Sequence, residues 1–310
     1  MELVGNNVFE NNTSTNGGAI NQGIYNGGAG SSSDKQAVSL TIGDGTIIRN
    51  NTASNNGGGI RFAITQSTDV DKHTECKLLI SGGKIINNTA TGGNGGGIYL
   101  SRADDSTSYR LRKFYITVDI SGGEISNNTA AVNGGGIYFL CGSANRIWGE
   151  TVSDEMDKIV LESGNISNNH AGGSGGGIYF NKNDGAQYNT AIDLRGGTIS
   201  GNSAGKNGGG ISFSRLNDSN TDGIINIYEG SVSSNIANDN GGGIYSSGIE
   251  ITTQTNDGTL ALQLNQNQGK YGGGIYLTGT RANAVFSGQN YIDSNTASGS
   301  GGGVFIAGGA

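Results

Sequence analysis

Ile125-Ser126-Asn127-Asn128, followed after a five-residue spacer by Gly134-Gly135-Gly136-Ile137-Tyr138-Phe139, is the stretch on which the fold turns. Alone it is two scraps of apolar residue divided by asparagine and glycine. The same two scraps return along the whole 310-residue chain. A Gly-Gly-x-aliphatic tetrad ends at Ile20, Ile60, Ile98, Ile137, Ile178, Ile211, Ile244, Ile275 and Val304. Each is preceded, eight to ten positions earlier, by an asparagine that follows an apolar residue at a spacing of three. These pairs are Phe9 and Asn12, Ile48 and Asn51, Ile85 and Asn88, Ile125 and Asn128, and Ile166 and Asn169. Ile199 and Asn202, Val232 and Asn235, Leu264 and Asn267, and Ile292 and Asn295 complete the series. Nine matched pairs exclude chance, and a repeat of 29 to 41 residues marks a solenoid.

Ahead of each pair stands a third element, a short apolar stretch closed by a tight turn. Leu78-Leu79-Ile80 with Gly82-Gly83, Val118-Asp119-Ile120 with Gly122-Gly123, and Ile192-Asp193-Leu194 with Gly196-Gly197 are examples. Each repeat is therefore read as three short strands joined by two tight corners and one variable return. Strand alternation turns Ile98 inward, Tyr99 outward and Leu100 inward, and the same holds for Ile137-Tyr138-Phe139, Ile178-Tyr179-Phe180 and Ile275-Tyr276-Leu277. Glycine suits corners that need a positive φ or leave no room for a Cβ. Asparagine tolerates the left-handed region, and in register its side chains can hydrogen-bond from coil to coil. The expected fold is all-β: a parallel β-helix of about nine three-strand coils with variable return loops, spanning residues 1–310 as one domain.

Composition agrees. The chain has 59 glycines, no proline and only 33% hydrophobic residues, thin for one globular core but enough for a narrow seam between coils. The absence of proline fits strands that must each donate to a neighbour. The net charge of −7 and the lack of a basic stripe argue against nucleic acid as a partner. No apolar run reaches the ~20 residues of a membrane span, so no membrane insertion is expected within the segment. Met1 leads straight into repeat sequence, and we expect a fragment of a longer surface protein. Cys76 and Cys141 are the only cysteines; they are placed in return loops two coils apart, as two inert thiols with a disulfide left open.

Phe9-Glu10-Asn11-Asn12 and Gly17-Gly18-Ala19-Ile20 resemble the paired motifs of chlamydial polymorphic outer-membrane protein passenger regions. Later repeats shift to Ile-x-x-Asn and Gly-Gly-Gly-Ile, as in many bacterial and archaeal adhesin-like proteins. The resemblance runs over essentially the whole chain. It implies a pectate-lyase-like right-handed β-helix, exposed at the cell surface or outside the cell and used in attachment.

Candidate chemistry is sparse. Asp119 and Asp193 fall in one column with Val160 between them, and Lys84 and Glu124 are expected to form an exposed ion pair. His73 and His170 stand without metal-ligand neighbours; Asn183–Gly185 and Asn256–Gly258 read as turns. Neither a metal nor a cofactor is expected. Asn-x-Ser/Thr triplets begin at Asn11, Asn12, Asn50, Asn87, Asn127, Asn165 and Asn217, most of them products of the corner composition. The best lead is an outward aromatic column, Tyr99, Tyr138, Tyr179, Tyr245 and Tyr276, with Arg61, Ser212 and Phe305 at the equivalent positions. Such a column either stabilises the rod or offers sugar or peptide a platform. The leading expectation is a non-enzymatic adhesin-like rod contacting a glycan or protein of host, matrix or neighbouring cell. One alternative is a carbohydrate-active enzyme using Asp104, Asp105, Glu150, Asp154 and Glu155 of the inserted loops. Another is a spacer or assembly component that self-associates end to end.

Overall fold

A computed structural model describes residues 1–25, 38–66, 74–102, 114–141, 157–182, 190–215, 223–254 and 260–307. Among them every regular element is a strand, and every strand pairing is parallel. The chain winds through nine coils and builds three sheets that share one core, the architecture of a parallel β-helix.

The pairings put each inward residue over its counterpart one coil away. On the third sheet Ile20, Ile60, Ile98, Ile137, Ile178, Ile211, Ile244, Ile275 and Val304 form one continuous column. From Ile60 to Ile275 these side chains are fully buried. Beside them Phe139, Phe180 and Phe213 follow one another with ring centroids 4.7 and 4.6 Å apart and planes tilted by 48° and 46°. The first sheet supplies matching columns through Leu78, Val118 and Ile159 and through Ile85, Ile125 and Ile166. Each fully buried aliphatic side chain contributes about 1.5–3 kcal/mol, so the seam compensates for its narrowness by repetition.

Two details differ from the sequence reading. The Gly-Gly turn after the apolar stretch is not a corner between sheets. Phe114–Ser126 and Asp157–Ser167 run through it as single strands, with register shifts around Ser121, so it is a bend inside the first sheet. The remaining wall is, in the first seven coils, a two-residue strand just after the asparagine, such as Thr89–Ala90 or Thr129–Ala130, too short to leave a periodic signal; it lengthens to Gln268–Tyr271 and Thr296–Ser300 in the last two. Its alanines Ala53, Ala90, Ala130 and Ala171 point inward and are fully buried.

The asparagine corner also works differently. The residue held at positive φ is the one before the recurrent asparagine: Asn50 (56°), Asn87 (56°), Asn127 (55°) and Asn168 (56°). The recurrent asparagine itself is buried, and its amide closes the corner. Asn88 Nδ2 donates to Ile48 O of the preceding coil at 2.9 Å and to Asn128 Oδ1 of the next at 3.0 Å. Asn128, Asn169, Asn202, Asn235 and Asn267 repeat the pattern. In the glycine corner the first residue needs its φ, as at Gly95 (69°), and the second has no space. A Cβ on Gly96 would lie 2.5 Å from Gly135 O and from the Thr129 carbonyl carbon.

Candidate functional site

The outward position after the inward isoleucine carries the aromatic column. Register places Arg61, Tyr99, Tyr138, Tyr179, Ser212, Tyr245, Tyr276 and Phe305 on successive coils. Tyr99, Tyr138 and Tyr179 stack with centroids 5.2 and 5.3 Å apart and planes within 2° and 8°. Tyr245, Tyr276 and Phe305 form a second stack at 5.6 and 5.3 Å. Ser212 divides the two, fully buried, with its hydroxyl lacking a hydrogen-bond partner. Strand alternation alone produces this face.

The structure thus brings all five expected tyrosines into one column, broken once. Their ring faces are mostly spent on one another, and Tyr138 is only 7% exposed. Asn181, Ser214 and Ser247 lie beside the Tyr138, Tyr179 and Tyr245 phenols and offset their burial only in part. Burial pushes all three phenols above the ordinary tyrosine value, because ionising them would strand a charge away from water. What the column presents outward is edges more than faces.

Asp119 and Asp193 occupy one column with Val160 between them. Each has its own local partners. Lys77 Nζ lies 3.2 Å from Asp119, while Asp193 receives Arg195 at 3.2 Å and Asn226 Nδ2 at 2.8 Å. Lys84 and Glu124 pair at 3.2 Å, one coil apart. The Ser126 hydroxyl, more than Lys84, holds the Glu124 carboxyl below its ordinary value. This pair sits in a groove of about 470 Å³ over the glycine bends of coils two to four, Gly43-Asp44-Gly45, Gly82-Gly83 and Gly122-Gly123. His170 is exposed, its Nδ1 2.9 Å from Ser203 Oγ. Among the described residues no group of three or more His, Cys, Asp or Glu is placed to hold a metal ion. Asp104, Asp105, Glu150, Asp154, Glu155, His73, Asn217 and the turns Asn183–Gly185 and Asn256–Gly258 lie outside the described residues.

Three features escaped the sequence reading. First, the cysteines are not in return loops: Cys76 lies in Thr74–Ile80 and Cys141 in Ile137–Cys141, on consecutive coils. Both are free and fully buried. Burial raises the Cys76 thiol to about 11 and the Cys141 thiol well above its ordinary value. Second, buried charge gathers beside Cys141. Arg102, Cys141, Lys182 and Arg215 share one inward column at the end of the third sheet. Arg102 Nη2 lies 3.0 Å from Asp157 Oδ2, both side chains almost wholly buried, and Asp157 Oδ1 accepts from Ile116 N at 2.8 Å. The Arg102–Asp157 contact has ion-pair distance without hydrogen-bond alignment. A signal existed: these residues stand four after the inward isoleucine, a position that alternation turns inward.

The third is a second asparagine ladder before the glycines. Asn94 N donates to Asn56 Oδ1 at 2.9 Å, Asn133 N to Asn94 Oδ1 at 3.1 Å and Ser174 N to Asn133 Oδ1 at 2.8 Å. Its acceptors face the opposite way along the rod from those of the first ladder. The coil from Gly122 to Leu140 therefore carries the whole corner chemistry: bend, both ladders, glycine triplet and tyrosine strand. Residues 122–140 match the Chlamydia polymorphic membrane protein repeat. The chain resembles chlamydial polymorphic membrane protein passenger regions over this repeat, and the other eight coils stack on it in the same register. No curated protein and no solved structure matches the chain.

Proposed function

We propose that this chain is a surface-exposed, adhesin-like β-helical rod that binds without catalysing a reaction. The observation that carries the reading is the polymorphic membrane protein repeat at residues 122–140, embedded in a nine-coil stack. That repeat family points to an outer-membrane or cell-surface setting. A stack of coils at constant pitch is suited to such a place, because it projects outward side chains in fixed columns and needs no large core. The partner is a glycan or protein of host, matrix or neighbouring cell, and the acidic surface disfavours nucleic acid. Labelled protein applied to glycan arrays, matrix proteins and whole cells tests the reading. Saturable binding to one class is expected; absence of binding to all three overturns it.

A carbohydrate-active enzyme is the second reading, favoured by one observation: Asp44 and Glu124 flank Lys84 in the groove of the first sheet. Release of new reducing ends or unsaturated sugars from a polysaccharide panel would establish it in place of the first.

A further inference from the structure

The groove over coils two to four has a floor made largely of glycine backbone. Gly83 of one coil lies beside Gly122 and Gly123 of the next, where the first sheet bends, and the Asp44 carboxylate covers Gly82. The floor cannot be raised by substitution. A Cβ on Gly83 would come within 2.8 Å of Gly43 O and Thr46 O, and one on Gly122 within 2.8 Å of Ser81 O. Backbone packing between coils, rather than a missing side chain, keeps this surface flat.

The walls are polar and mixed in sign. Asp44 and Ser81 are exposed on one side of the bend, and Lys84 and Glu124 stand on the other. Carboxylates accept from hydroxyl groups, while the ammonium and the serine hydroxyl donate. The three charged groups sum to −1, which disfavours a polyanion. Lys84, lying between Asp44 and Glu124 in coil order, disfavours a cationic guest. Ser126 and Lys84 keep Glu124 ionised, so its acceptors persist into mildly acidic conditions. Across three coils the groove is about 10 Å long at the usual strand spacing, long enough for more than one ring of an extended chain.

We propose that this groove binds a neutral, hydroxyl-rich polysaccharide laid along the rod axis, its ring faces on the glycine floor and its hydroxyls on Asp44, Lys84 and Glu124. The assignment rests on the adhesin-like reading and adds a place and a ligand class to it.

Affinity electrophoresis of the whole chain through gels containing soluble neutral glucan, mannan, xylan or galactan tests it, with polygalacturonate and heparin as anionic counterparts. Retardation by at least one neutral polymer is expected. Lys84→Ala and Glu124→Gln, both at solvated positions, should each weaken it about ten-fold, the loss expected from a charge-assisted hydrogen bond. Tyr99→Ala, outside the groove, should leave it unchanged. Unaltered retardation of both groove variants overturns the site. Retardation by the anionic polymers alone, by none of the polymers, or abolished by an arginine-rich peptide overturns the ligand class. Binding to cells or matrix, measured on the same variants, separates the two ideas: if it survives while the gels show nothing, the adhesin-like reading stands and the groove assignment falls. Release of sugar ends during the run overturns non-catalytic binding.

Discussion

Asn128 Oδ1 accepts two hydrogen bonds from one neighbour, the backbone N–H of Asn88 at 2.9 Å and its Nδ2 at 3.0 Å. One side chain therefore closes the corner of another coil, and the same arrangement recurs from Asn12 to Asn295. The ladder acts as a continuous hydrogen-bonded chain through a buried corner, where each unmade bond would cost a full desolvation penalty.

Asn128→Ala should destabilise the rod by roughly 2–4 kcal/mol, because it removes the acceptor of the Asn88 backbone N–H, one of the two bonds of Asn88 Nδ2 and the side-chain donor to the Ile85 carbonyl. Asn128→Asp should cost more at neutral pH, since a buried carboxylate cannot donate. Urea unfolding followed by circular dichroism checks both; equal midpoints for wild type and Asn128→Ala would show that the ladder does not carry the corner.

One position earlier the rule reverses. Asn127 has φ 55°, and the sixth coil already carries Gly201 there at 65°. Asn127→Gly should be neutral or stabilising by up to about 1 kcal/mol, while Asn127→Val should cost about 1–2 kcal/mol. The opposite order in thermal melts would contradict the assignment of the left-handed residue.

Asp157→Leu should destabilise by about 3–5 kcal/mol, since removing one partner of a buried ion pair leaves the other charge in low dielectric. The Asp157→Leu/Arg102→Met double variant should recover part of that loss. A double variant no better than the single one would separate Arg102 from Asp157 energetically.

The thiols should be silent to a disulfide-exchange reagent in the native state and react together on unfolding, as both are free and buried. Alkali should weaken the rod. Cys76, Cys141, Tyr138, Tyr179 and Tyr245 all have raised values, so the stability they contribute is complete below the unfolded thiol and phenol values and lost as pH rises through the folded ones. For Cys76 the window runs from about 8.5 to about 11. Melting temperatures measured between pH 8 and pH 11 should fall, and Cys76→Ala should fall less steeply.

Tyr138→Ala should lower stability by about 2–4 kcal/mol through lost burial and two lost ring contacts. A change below 0.5 kcal/mol would show that the stack adds little to the rod.

The nine coils and their inward isoleucines were legible because strand alternation and glycine spacing act over a few residues. The tyrosine column followed from the same alternation, and so did the Lys84–Glu124 pair. Other features depended on which coil lies against which. The Thr–Ala wall is two residues long in the first seven coils, below any period. The left-handed residue is masked where it is also asparagine, as at Asn127 beside Asn128; Gly201 before Asn202 is the one position where the sequence marks it by residue type. Cys76 and Cys141 lie where strands run on beyond the regular repeat, in Thr74–Ile80 and Ile137–Cys141, and no local period marks that extension.

Local sequence thus determined the winding: inward aliphatics, glycine at the tight corner, asparagine at the polar one, and no proline to break a donor. Only the tertiary structure decided what faces what. It set Arg102 beside Asp157, and a strip of glycine backbone between Asp44 and Glu124. The reason is physical. Alternation tells a side chain in from out at every second residue, whereas neighbours across coils are set by return lengths that vary from coil to coil, and no local period encodes those.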